Sequence, residues 1–247
     1  MRCRERLAPA ASRLAALLAA LVLGCASTRP IPGVVQRAEG APLTSIPGPM
    51  PSFGPFDTFS DALRAACPLI LGKPRATAGR PTEQNFSLRW QRSREYCAWL
   101  YYTPDQKFEM SMLAAGAPQD ESHKRTCDLP ATVDDPRYSP GSLGYVFVLH
   151  NHPYDNVLSD RDIRFIVAMA VEHGVTVNTQ AGVIPLSIVA FFSHSSSLES
   201  PPCDGFFQYI PATGELLRWL RKDSDWGRQV IGRVEWLDDT RYRIVRN

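Results

Sequence analysis

The stretch YVFVLHNHPYDNVLSDRDIRFIVAMAVEHG, residues 145–174, decides how the chain folds. Its first five residues are apolar without interruption, the mark of a strand buried on both faces. Pro153 has no N–H to donate and ends the ladder. Over residues 159–173, Ile163, Ile166, Val167, Ala170 and Val171 make an apolar stripe at helical spacing, and Gly174 supplies the stop. Strand, turn and helix in this order, followed by strand-like runs at 175–179 and 187–193, specify an α/β (α+β) domain: a mixed sheet flanked by helices.

Upstream, Phe59, Ala62, Leu63 and Ala66 recur at helical spacing behind a cap at Asp57 or Thr58, and Cys67-Pro68 closes the pattern. Strand-like runs follow at 86–91, 95–103 and 107–113, the last with Phe108, Met110 and Met112 alternating, and together they read as a meander. Residues 115–142 form a loop rich in Pro, Asp and Ser. From Gly205 onward, strand-like pieces surround turns at Thr213-Gly214 and Asp238-Asp239, so residues 201–247 read as an extra C-terminal β-hairpin region on a domain spanning 57–200. No internal repeat is visible.

The 247 residues are 44% hydrophobic and 21% charged, enough apolar material for a sizeable core and incompatible with wholesale disorder. A formal charge of +2 argues against a phosphate-backbone partner, so no nucleic acid is expected. Four of the 27 Lys and Arg stand at the start, where Arg2, Arg4, Arg6 and Arg13 precede the uncharged run LAALLAALVL at 14–23. Ten apolar residues are about half of what crosses a bilayer, and the pattern of residues 1–24 is that of a secretory signal. Between residues 26 and 56 lie seven Pro and four Gly with no apolar period, which predicts an extended tether over 25–56. Beyond it stand Cys67, Cys97, Cys127 and Cys203. In an exported chain these fit two disulfides, with three pairings open, and their spacing contains no CxxC zinc knuckle.

The chemistry concentrates in His150-Asn151-His152-Pro153. Side chains two apart on a strand point the same way, so both imidazoles can face one ion. Asp162, on the first turn of the helix three residues after Ser159, can add a third ligand and leave a fourth position open, as catalytic zinc requires. Each residue also has a structural alternative. A His pair can be buried and hydrogen-bonded without metal, and S-x-x-D before an apolar helix is a capping pair. His123, His173 and His194 have no such partners and read as surface residues.

Two resemblances sharpen this reading. Val22-Leu23-Gly24-Cys25 resembles the lipobox of bacterial lipoproteins, which implies acylation of Cys25, an anchor in the membrane and, with Ala26 following, the outer membrane of a Gram-negative bacterium. The string HNHP-x5-SxxD, His150 to Asp162, resembles the JAMM signature of the JAB/MPN metallopeptidase superfamily, and its HNHP form is similar to the RadC-type bacterial branch. That resemblance implies a cytidine-deaminase-like three-layer fold, a zinc ion on His150, His152 and Asp162, and a peptide or protein substrate cleaved at an amide or isopeptide bond. It also implies a Glu on an earlier strand as proton acceptor. Glu95 in EYCAWL fits best, with Ala98 in the place of the family's Gly, and Glu109 is the second candidate. Ser159 is then placed to donate to a developing oxyanion. A metallo-β-lactamase pattern would need Asp and His where Tyr154 and Asp155 stand, and a deaminase would need a PCxxC element that is missing. The rival from another class is a JAB-like scaffold or binding lipoprotein of the envelope without catalysis.

Overall fold

The structure is a computed structural model, and it describes residues 30–35, 43–115, 128–195, 197, 199–223 and 225–246. The chain divides into two units, Met1–Ile31 and Pro32–Asn247, and the helices and strands named below belong to the second. The signal segment and Cys25 lie outside the described residues, as do Cys127 and His123.

The protein is of the α+β class, built on one large sheet with three helices among the described residues. Helix α1 (Phe59–Leu71) starts at Thr58, whose hydroxyl accepts from the Asp61 N–H at 3.1 Å. It buries Leu63, Ala66, Cys67, Ile70 and Leu71. Cys67-Pro68 does not end it as expected. Pro68 removes one helical hydrogen bond, but the last turn also buries Ile70 and Leu71 completely, and that burial outweighs the loss. Helix α2 (Phe86–Arg92) replaces the strand expected at 86–91. Leu, Arg and Gln are good helix formers, and the segment buries no residue, so no sheet neighbour imposes an extended backbone. Helix α3 (Asp160–His173) matches the sequence reading, with Ser159 as cap and Gly174 as stop.

The central strands are β2 (Tyr96–Tyr102), β6 (Gly144–Asn151) and β9 (Ser187–Phe192). Strand β6 pairs antiparallel with β2 and parallel with β9, the crossover to β9 passing through α3 and the hairpin of β7 (Thr176–Thr179) and β8 (Gly182–Pro185). A bulge between Leu100 and Tyr101 lets Tyr145 and Val148 share a face, where they pack with Trp99, Ile163 and Ile166 beneath α3. The opposite face receives α1, with Phe59 against Phe147 and Phe108. On the outer side of β2 lie β3 (Phe108–Met110) and β4 (Ala114–Ala115).

Two expectations about domain organisation are corrected. The hairpin region is not a separate layer. Strands β10 (Gly205–Ile210), β11 (Glu215–Lys222), β12 (Asp225–Trp236) and β13 (Tyr242–Arg246) continue the same sheet beyond β9 as an antiparallel meander. Nor is the stretch from residue 43 to 56 a tether. Its strand β1 (Ser45–Pro47) pairs in parallel with β5 (Thr132–Asp134), while Ile46, Met50 and Phe53 are buried. The Pro and Gly residues here serve turns along the sheet edge, where Gly48 donates to Asp134 at 2.9 Å and Met50 to Met110 at 2.6 Å.

Cys67 of α1 is bonded to Cys203 just before β10, closing 136 residues of sequence separation, and Cys97 of β2 is also in a disulfide. His173 is not a surface residue. It stacks on Tyr145 at 3.9 Å and lies within hydrogen-bond distance of the Ala131 carbonyl at 2.7 Å.

Candidate metal centre

His150 and His152 leave the end of β6 on the α3 side of the sheet, and the intervening Asn151 points to the other side. The first turn of α3 brings Asp162 up to them. Its Oδ1 lies 3.6 Å from His150 Nε2 and its Oδ2 3.5 Å from His152 Nε2. The three donor atoms fall within 4.8 Å of one another, so His150, His152 and Asp162 can hold a metal ion. Both imidazoles are buried, and neither ring nitrogen of His150 has a hydrogen-bond partner. The Val189 carbonyl faces that ring but falls short of hydrogen-bond geometry. Buried polar atoms are normally paired, and a cation on Nε2 would give that nitrogen the partner it lacks.

The capping pair and the ligand set coexist. Asp162 Oδ2 accepts from the Ser159 N–H at 2.7 Å and from the Ser159 hydroxyl at 2.8 Å, while the hydroxyl accepts from the Asp162 N–H at 3.3 Å. This capping box fixes the carboxylate and leaves Oδ1 turned to His150. Ser159 is thus brought to the site, with its hydroxyl proton directed at Asp162. On the far side of His152, Nδ1 meets the Asn156 carbonyl at 2.7 Å. That contact fixes the ring and leaves Nε2 as the free donor atom.

Burial pushes the His150 imidazole down to about 4, so it is neutral and its lone pair is available at ordinary pH. His152 is buried too, but hydrogen bonding and charge from Asp162, with the nearby Glu95, more than offset that and raise it. For Asp162 burial works upward, yet His150, His152 and the Ser159 N–H together hold it well below the usual carboxylate range.

Glu95 precedes β2 by one residue. Cys97 pairs with His150, so Glu95, two residues earlier, shares the face of His150 at the level of His152, whose ring feels its charge. Glu109 is placed elsewhere. It pairs with Tyr101, which lies opposite Tyr145, five residues from His150 along β6 and so about 16 Å away at a strand's rise. Its carboxylate is held by Arg137, which also binds Asp135.

Sequence reasoning left Asn151 without a role. Its Oδ1 accepts from the Tyr96 N–H at 2.7 Å, and its Nδ2 donates to the carbonyls of Ala76 at 2.6 Å and Arg94 at 2.9 Å. The backbone groups on either side of Glu95 are therefore clamped by the residue between the two histidines. The available signal was alternation: an Asn between two strand residues that face a site must point into the opposite layer, where it needs partners. No family model, curated protein or solved structure matches the chain.

Proposed function

We propose that the chain is a zinc-dependent amide hydrolase of the JAB/MPN type, acting on a peptide or isopeptide bond and carried by an exported, lipid-anchored protein. The observation that carries the reading is the convergence of two imidazoles and one carboxylate, with the His150 nitrogens unpaired. The choice of zinc rests on the donor set and its spacing. Two imidazole nitrogens and one carboxylate oxygen, all within 4.8 Å of one another, are the nitrogen and oxygen donors that zinc takes. The order of the site-bearing elements also supports it: Glu95 before β2, the His pair ending β6, and Asp162 opening α3. Export into an oxidising compartment is supported by the Cys67–Cys203 disulfide.

When bound, zinc supplies Lewis acidity, acidifying water and polarising the scissile carbonyl. Glu95, with its backbone pinned by Asn151, accepts a proton from the attacking water and returns it to the departing amine nitrogen. His150, His152 and Asp162 would hold the ion, and no covalent enzyme intermediate is required. Ser159 orients Asp162, and its donation to an oxyanion calls for the hydroxyl to turn from Asp162 to the substrate. Glu95→Gln is expected to keep zinc and to lower hydrolysis of peptide or isopeptide-linked probes by about 10²–10⁴-fold. Full turnover in this variant would refute the assignment of the base.

A further inference from the structure

Residues 153–158 join the His pair to α3, and one group in this loop, the Asn156 carbonyl, holds the His152 ring. The residue before it is anchored by elements far away in sequence. Asp155 Oδ2 accepts from Arg218 Nη2 and lies 2.9 Å from His194 Nε2. His194, expected at the surface, is itself fixed: its N–H donates to Asp204 Oδ2 at 2.6 Å, and its carbonyl accepts from Arg80 Nε at 2.9 Å.

The sheet explains how Arg218 of β11 reaches this loop. His150 pairs with Ala190, Ala190 with Phe207 and Phe207 with Arg218, one cross-strand row running from the metal centre into the C-terminal meander on a single face. The small Ala190 leaves room above the row. The Arg218 guanidinium lies across the rings of Phe207 at 5.7 Å and Phe192 at 5.9 Å on its way to Asp155. Asp155 Oδ1 and Arg218 Nε are shut off from solvent without a hydrogen-bond partner. The pair as a whole is half-buried, so its ionic attraction adds little stability, and its effect is to fix one geometry.

We propose that Arg218 and His194, acting through Asp155, are positioning residues for His152: they fix the peptide unit whose carbonyl orients the His152 ring toward the cation. This gives the C-terminal strands a role at the site, and it rests on the zinc reading above. The test is zinc affinity, measured by chelator competition on the full chain with its fold checked by circular dichroism. Arg218→Ala and the isosteric Asp155→Asn should each weaken zinc binding about 10-fold or more, and the double variant should be no weaker than the worse single one. Arg228→Ala, which breaks the Arg228–Glu215 pair away from the metal centre, should bind as the wild type does. Wild-type affinity in both Arg218→Ala and Asp155→Asn would overturn the positioning role alone. An equal loss in Arg228→Ala, or additive losses in the double variant, would also overturn it, by showing a general loosening of the sheet. A wild-type protein that binds no zinc would instead remove the reading beneath it.

Discussion

The two histidines sit two residues apart and see opposite electrostatics. Burial keeps His150 deprotonated down to about pH 4, whereas Asp162 and Glu95 favour the proton on His152. In the metal-free protein His152 is therefore raised above its unfolded value of 6.5. Its contribution to stability is present below that value and fades as pH rises through the folded one. On the zinc reading the same proton would compete with the ion, so affinity should rise as pH climbs from 6.5 through the raised folded value, with a slope near one proton, and then level off. Chelator competition across that range checks this, and a flat profile would mean that His152 carries no proton to displace.

At the scale of elements, the capping box makes Ser159 a stability residue and an orienting residue at once. Ser159→Ala should cost about 1 kcal/mol of unfolding free energy in urea titrations. The loss of its hydroxyl from Asp162 Oδ2 should also weaken zinc binding. A variant that is less stable but binds zinc unchanged would leave the cap without a part in the site. The elements legible in sequence were those whose pattern is local. The apolar run of β6, the period of α3, and the two-residue and three-residue spacings within HNHP and S-x-x-D all state their geometry within one or two turns of chain. Helix α2 stands where the sequence suggested a strand, because only a sheet partner would have held the segment extended and it has none among the described residues.

For the molecule as a whole, what sequence hid was the pairing of distant segments. Ile46 is buried because β5, more than eighty residues on, offers β1 an edge, and Met50 because it meets Met110, and no local period announces either pairing. Likewise Arg218 meets Asp155 across 63 residues and His194 meets it across 39, so His194 read as a surface residue and nothing in the sequence singled out Arg218. The Cys67–Cys203 bond ties α1 to the start of the C-terminal meander and restricts the unfolded chain over 136 residues. Cys67→Ser should lower stability by about 2–5 kcal/mol in guanidinium unfolding. An unchanged midpoint would show that the unfolded chain is not held by this bond.

The central claim is that His150, His152 and Asp162 close on one divalent cation. It is tested most directly by the zinc content of the purified full chain after replenishment and removal of loose metal, beside that of His150→Ala. The account predicts one zinc per chain in the wild type and none in the variant. Zinc well below one per chain in the wild type, or the same content in both proteins, would contradict it.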